Sequence, residues 1–254
     1  MITSRSNVLV KKARSLRQER ARSQTGDFLV EGVHHVGAAI EAGWEIEFIL
    51  YAPDQLSSAF GRDLVSRFPG RCEPVSPDVL ASVAEKQHPQ GIVAVARQRH
   101  LRLDITLPGT CGIAVVSPQD PGNLGTMVRT LDGVGGGTMF ILDGGVDPYH
   151  PTAIRAGMGS TFVVPLVQCG FADFVKWATR NNVQIIGSSA RATVDYRDAD
   201  PKQPWILLLG SEQKGLSEEQ RAACDSIVFL PMRGRVSSLN LAVAAGILMY
   251  EWVT

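Results

Sequence analysis

Cysteine is scarce in this chain: Cys72, Cys111, Cys169 and Cys224 stand far apart, with no CxxC pair and no Cys/His ligand spacing. That excludes a disulfide-stapled secreted scaffold and a zinc module, and reads as four reduced thiols in a cytosolic protein. Targeting signals are missing too. The N-terminus has no uninterrupted apolar run and no small-residue cleavage site, so nothing in it directs secretion. The most apolar stretch, Leu239 to Trp252, is too short and too rich in Ala and Gly for a membrane span. Net charge is absent, with 25 Lys and Arg against 25 Asp and Glu, which taken alone argues against a nucleic-acid partner. A GxGxxG fingerprint is absent as well. Gly133, Gly135, Gly136 and Gly137 run into Thr138 and follow a helix rather than a strand, so a dinucleotide fold has little support. What remains is an ordinary globular composition, 44% hydrophobic over 254 residues, enough for one large domain or two modest ones.

The distribution of charge says more than its sum. Arg5, Lys11, Lys12, Arg14, Arg17, Arg20 and Arg22 fall in the first 22 residues against a single acid, Glu19. A concentrated cationic helix is predicted there, suited to a phosphate backbone, with Arg14, Arg17, Arg20 and Arg22 as its RNA-binding candidates. The plainer alternative is a solvated face whose charges balance acids elsewhere. After Gly26 the pattern alternates: strand 28–32, a helix over VHHVGAAIEAG, strand EIEFILY, a helix around QLSSAFGRDLVSRF, and strand 91–96. This predicts a small α/β domain over residues 1–100. His34 and His35 read as structural or surface residues, since no carboxylate or further ligand accompanies them. Residues 101–110, polar, basic and closed by Pro108 and Gly109, are the expected linker.

From 111 to 254 a second α/β unit is predicted, with strands at 112–116, 138–142, 163–167, 183–187, 205–210 and 226–230 alternating with helices. Strands this apolar imply a parallel sheet with helices on both faces. Ligands bind such sheets beyond the carboxyl ends of the strands. The polar, Gly-rich segments PQDPGNLGTMVR, GSEQKG and PMRGRVSSLN each follow a strand, so all three gather on one edge. The last opens the C-terminal helix, where Ser237 or Ser238 is a natural N-cap. That helix is apolar nearly all round and is expected in a core or a subunit interface. Ser238 and Asn240 at its mouth read either as cap and turn or as part of a site.

With those loops in place, the region from about 110 onward resembles the SpoU (TrmH-like) RNA ribose methyltransferases. Asn123, Gly125, Arg129 and Thr130 match the family's N-x-G-x-x-x-R-T. Gly210, Glu212 and Gly215 match G-x-E-x-x-G, and Pro231, Met232, Gly234, Ser238, Leu239, Asn240, Tyr250 and Glu251 match the third motif. The segment IRAGMGSTF, 154–162, is similar to the family's RAS-x-G-A, with Gly157 and Ser160 departing toward small residues. The N-terminal domain is similar to the ribosomal-protein-like RNA-binding domain that many members carry. The resemblance implies a parallel sheet closed by a C-terminal trefoil knot, a homodimer, and S-adenosylmethionine bound in the knot. By position it assigns Gly210, Leu230 and Leu239 to the cofactor, with Met232, Gly215, Gly187 and Ser188 near it. It places Arg129, Glu212, Ser238 and Asn240 around the reacting ribose, supported by Asn123.

The chemistry agrees with that cast. A ribose hydroxyl is a poor nucleophile and a sulfonium methyl is already activated, so the protein must align the two and ease loss of a proton. No metal is needed. A guanidinium stays protonated, so Arg129 suits an adjacent phosphate and developing alkoxide charge better than the role of base. Glu212 suits either proton acceptance or the holding of backbone amides. The expected function is 2′-O-methylation of structured RNA, ribosomal RNA favoured because members without a large N-terminal domain tend to use transfer RNA. The alternatives are a transfer-RNA enzyme, a catalytically silent RNA-binding protein of the same fold, and a Rossmann-type methyltransferase with Asp143 on a cofactor ribose.

Overall fold

The computed structural model of the chain describes residues 1–68, 70–85, 90–104 and 109–253. The chain divides into two compact units, Met1–Arg99 with Tyr149–Phe162, and His100–Pro148 with Val163–Thr254. Of the expected linker, residues 105–108 lie outside the described residues. No helix among the described residues is long and apolar enough to cross a membrane.

In the first unit, α1 (Val8–Ser15) and α2 (Glu19–Thr25) precede β1 (Asp27–Glu31), α3 (Val33–Glu41), β2 (Ile46–Tyr51), α4 (Ala59–Ser66), β3 (Cys72–Pro74), α5 (Pro77–Val83) and β4 (Ile92–Arg97). The sheet order is β1-β4-β2-β3, with only the β2/β3 pair parallel. Alternation sends Phe28, Val30, Ile92 and Ala94 toward α3, and Leu29, Val93 and Val95 toward α1 and α5. β3 escapes sequence reading because Cys-Glu-Pro has no apolar alternation, although Ser76-Pro77 does carry the start signal of α5.

The cationic N-terminus is two short helices rather than one, broken between Leu16 and Gln18. Arg22 is buried at that break, where its Nη1 donates to the carbonyls of Leu16 (2.9 Å) and Arg17 (3.1 Å). Lys12 and Arg97 converge on Asp27, which is 1% exposed, at 2.8 and 3.0 Å. These cations hold the helices to the sheet.

The second unit runs β5 (Cys111–Val116), α6 (Pro121–Gly133) and β6 (Met139–Leu142). The chain then forms α7 (Pro151–Gly157) and a 3₁₀ turn (Ser160–Phe162), which are counted with the first unit. There Tyr149, Ile154 and Phe162 share a core with Phe28 and Trp44, and Trp44 Nε1 donates to the Phe162 carbonyl at 2.9 Å. The second unit resumes with β7 (Leu166–Cys169), α8 (Phe171–Arg180), β8 (Gln184–Ser188), β9 (Val194–Asp195), β10 (Trp205–Leu209), α9 (Glu218–Ala222), β11 (Ser226–Phe229) and α10 (Leu241–Val253). The sheet order is β7-β6-β5-β10-β8-β11-β9, every pair parallel.

Both faces of this sheet are covered, as the unbroken apolar strands require. Ile113, Val115 and Leu207 pack with Met127 and Leu131 of α6 and Leu248 of α10, while Ala114, Ile206 and Leu208 pack with Phe174 and Trp177 of α8. β7 begins at Leu166 rather than 163: Pro165 has no amide to donate and contributes only its carbonyl, which accepts from Met139 N at 3.0 Å. Within the single chain, the apolar circumference of α10 is buried on one side only. Ala242, Ala245, Leu248 and Met249 face the core, whereas Val243 and Tyr250 are 51% and 54% exposed and Ile247 is exposed beside them.

Candidate active site

All seven strands of the second sheet are parallel, so the segments after β5, β8, β10 and β11 leave from the same edge. At the first, Asp120 caps α6, its Oδ1 accepting from Asn123 N at 2.6 Å with Pro121 at the first helical position. After β10 the chain folds tightly on itself. Gly215 adopts φ +65° and its amide donates to Ser211 O at 2.9 Å. A Cβ on Gly210 would lie 2.1 Å from Gly215 C and 2.3 Å from Leu216 N, so only glycine fits beneath that turn. The glycine therefore serves the loop's own backbone.

Side chains then tie these loops together. Glu212 accepts from the backbone amide of Gln119 at 3.2 Å, joining the β10 loop to the β5 loop. Of the two roles open to it, this geometry is the holding of a backbone amide. The N-cap of α10 is Asn240 rather than Ser237 or Ser238, its Oδ1 accepting from Ala242 N at 2.9 Å and Val243 N at 3.3 Å. With Oδ1 committed, Asn240 turns its Nδ2 to Asn123 Oδ1 at 2.9 Å. Further along, Gly246 faces Thr130 and Gly133 faces the Tyr250 hydroxyl, so α6 and α10 run side by side in the same direction.

The loops enclose a cleft of about 490 Å³. Leu230, Leu239, Met232 and Ser188 line it with Gly210 and Gly215, and Glu212 and Ser238 lie on its wall. Gly187 does not. It sits within β8, where a Cβ would meet Cys224 Sγ at 2.7 Å and Leu216 Cδ1 at 3.1 Å, so its small size makes room for packing rather than for a ligand. Arg129 is exposed on α6 and outside the lining, roughly 9 Å along the helix axis from Asn123. Asn123 and Asn240 also lie outside it, behind the helix mouths that they join. Asp143 lies outside the lining, and its Oδ1 accepts from Phe171 N at 2.8 Å, capping α8 from the neighbouring strand end. Burial pushes the Cys224 thiol up to about 12 and the Cys169 thiol to about 11, so neither is a ready nucleophile.

The lining also includes three cations that no sequence motif marks, Arg191, Lys214 and Arg221. Their only signal in the sequence is position beyond a strand's carboxyl end. In the first unit, Arg17 and Arg20 are exposed and Arg14 half-buried, whereas Arg22 is buried with its Nη1 given to the carbonyls at the helix break.

The SpoU rRNA Methylase family model matches residues 111–250, and the MRM3-like substrate binding domain model matches residues 7–94. A 23S rRNA (uridine(2479)-2′-O)-methyltransferase of Streptomyces viridochromogenes is 32% identical over 99% of this chain and 91% of its own. The 23S rRNA (guanosine(2553)-2′-O)-methyltransferase RlmP of Bacillus subtilis is 29% identical over 98% of each chain. The crystal structure of an AdoMet-bound rRNA methyltransferase from Sinorhizobium meliloti superposes with a TM-score of 0.89 at 32% identity, covering 98% of this chain and 95% of that one. With the family model spanning the whole cleft-bearing sheet and a 32% identical relative aligned over 99% of this chain and 91% of its own, the chain belongs to the SpoU rRNA methylase family.

Proposed function

We propose that this protein transfers the methyl group of S-adenosylmethionine to a ribose 2′-hydroxyl of ribosomal RNA. The observation that carries the reading is the convergence of the Gly210–Gly215 and Leu230–Asn240 loops on one cleft of about 490 Å³ at the carboxyl edge of a parallel sheet. The relatives matched over 91% and 98% of their own length are named as 23S rRNA 2′-O-methyltransferases, which supports the choice of RNA. The lining suits the cofactor: Leu230, Leu239 and Met232 offer apolar walls for an adenine, while Ser188, Ser238 and Lys214 offer partners for hydroxyls and a carboxylate. When bound, S-adenosylmethionine supplies the activated methyl group.

The chain's own residues hold the ribose and manage its proton. Arg129 meets the phosphate beside the target and stabilises developing alkoxide charge, because a guanidinium remains protonated. Asn240 keeps a second amide hydrogen beyond the one given to Asn123, and Ser238 adds a hydroxyl at the cleft wall. Glu212, engaged by Gln119, keeps the loops in register.

The exposed Val243, Ile247 and Tyr250 stripe supports a homodimer through α10. The return of the chain after β11, which brings α10 back against α6 and β10, supports the trefoil knot. The domains proposed are an RNA-binding unit over 1–100 and a methyltransferase unit over 111–254, whose segment Tyr149–Phe162 is counted with the first compact unit, in a cytoplasmic protein. Ribosomal RNA from cells lacking the gene, incubated with the full chain and methyl-tritiated cofactor, should gain label at a single alkali-resistant linkage. Label in transfer RNA alone would move the substrate, and no label from a folded, cofactor-binding chain would overturn the reading.

A further inference from the structure

A second cavity of about 480 Å³ adjoins the cofactor cleft, the two sharing Ser189, Arg191 and Arg221 in their walls. Its lining includes no acid: beside the two arginines are Thr193, Val194 and Ile227. Among the described residues neither guanidinium has a carboxylate within salt-bridge distance, in a protein where Arg97, Arg155 and Arg197 are each paired. Both arginines stand on anchored backbone. Ser189 N donates to Val228 O at 3.0 Å, Ala192 N closes the turn on Ser189 O at 3.1 Å, and Arg191 N donates to Ser189 Oγ at 3.2 Å. Arg221 lies on α9, whose start is locked by a reciprocal pair between Ser217 and Gln220. Two guanidinium groups on anchored backbone, without carboxylate partners among the described residues and lining one cavity, form a fork for an oxyanion.

We infer that Arg191 and Arg221 clamp a backbone phosphate of the RNA, beside the nucleotide presented to the cleft. This rests on the reading of the cleft as the cofactor site of an RNA methyltransferase. The cofactor's carboxylate is the other anion at hand, and volume argues against it. The first cleft falls within the range of small-molecule sites and carries Lys214 of its own, so the adjoining cavity is space beyond the cofactor. The pair is separate from the exposed Arg17 and Arg20 of the first unit, and it would fix the strand at the site of reaction rather than add general affinity.

The test uses the full chain saturated with S-adenosylhomocysteine, a fluorescent oligouridylate as probe, and the variants Arg191→Gln and Arg221→Gln, singly and together. A clamp on one phosphate predicts that the log–log salt slope falls in magnitude by about 0.7 in either single variant and little further in the double. In methyl transfer the apparent KM for RNA should rise with kcat less affected, and Arg191→Lys should restore the slope but only part of the KM, since an ammonium keeps charge without the fork. Calorimetry with S-adenosylhomocysteine and with methylthioadenosine, which lacks the carboxylate, separates the sources. Unchanged affinity for both supports the inference. Loss confined to S-adenosylhomocysteine would give the arginines to the cofactor and overturn it, as would an unchanged salt slope. Failure of the wild-type chain to bind either ligand would instead bring down the functional reading beneath it.

Discussion

Gly210→Ala isolates what the tightest point of the cleft is for. The added methyl carbon would stand 2.1 Å from Gly215 C, 2.3 Å from Leu216 N and 2.4 Å from Gly215 O. Ordinary carbon contacts lie near ~3.5–4.0 Å, so the overlap exceeds about 1 Å, and it falls on backbone that has no rotamer with which to yield. Gly210 is not in the left-handed region, so the requirement is steric alone. The turn must move by about 1 Å, straining or breaking the 2.9 Å bond from Gly215 N to Ser211 O. Overpacking at about 1–3 kcal/mol and a lost hydrogen bond at about 1 kcal/mol sum to about 3 kcal/mol, a fall of roughly 6–12 °C in Tm. Because the turn lines the cleft, affinity for S-adenosylhomocysteine should drop more than about tenfold by calorimetry, or about 1.4 kcal/mol. Gly215→Ala is the control. Gly215 has φ +65° with nothing within 4 Å of the added carbon, so that variant carries only left-handed strain of about 1–2 kcal/mol. Stability and affinity should therefore fall further in Gly210→Ala than in Gly215→Ala. An unchanged Tm with lost binding would mean that the ligand, not the loop, needs the glycine; an unchanged Tm with unchanged binding would refute the steric reasoning altogether.

Arg22→Ala should destabilise the first unit by about 2–4 kcal/mol in chemical denaturation while leaving the salt slope of RNA binding alone, since its Nη1 serves the carbonyls of Leu16 and Arg17. Replacing Arg14, Arg17 and Arg20 with Gln should do the reverse, lowering the slope by about 0.7 per lost single-strand phosphate contact in filter binding. Asn240→Ala removes the α10 cap and the Asn123 bond together, so a double-mutant cycle with Asn123→Ala should report a coupling of about 0.5–1.5 kcal/mol. Hydrogen bonds from Arg197 hold the Asp195 carboxyl down to about 2, below its unfolded value near 3.9, so its contribution is present above that value and lost as pH falls through about 2. Urea titrations at stepped pH should show a shallower acid loss in Asp195→Asn. Ile247→Glu on the exposed side of α10 should give a folded monomer by sedimentation.

How far the sequence reaches depends on whether a feature is local. β10, Trp-Ile-Leu-Leu-Leu, is legible as a strand buried on both faces because both sets of side chains are apolar. The division of Trp205, Leu207 and Leu209 to one core and Ile206 and Leu208 to the other follows from the period of two. The strand-end loops are legible for a related reason, since a Gly-rich polar segment after such a strand must lie at the carboxyl edge. Arg22 shows where locality fails. By type and spacing it belongs with Arg14, Arg17 and Arg20, and only the break between Leu16 and Gln18, which leaves backbone carbonyls to be satisfied, turns it inward. The start of α10 fails in another way. Ser237, Ser238 and Asn240 are all competent caps, and the choice goes to the residue that also reaches Asn123, 117 positions away. Arg191 and Arg221 are the extreme case. They share a cavity because β11 pairs with β8, which seats the turn after β8 beside α9 from a later crossover. No local window contains that strand order, so a site assembled from such residues becomes visible only when the sheet does.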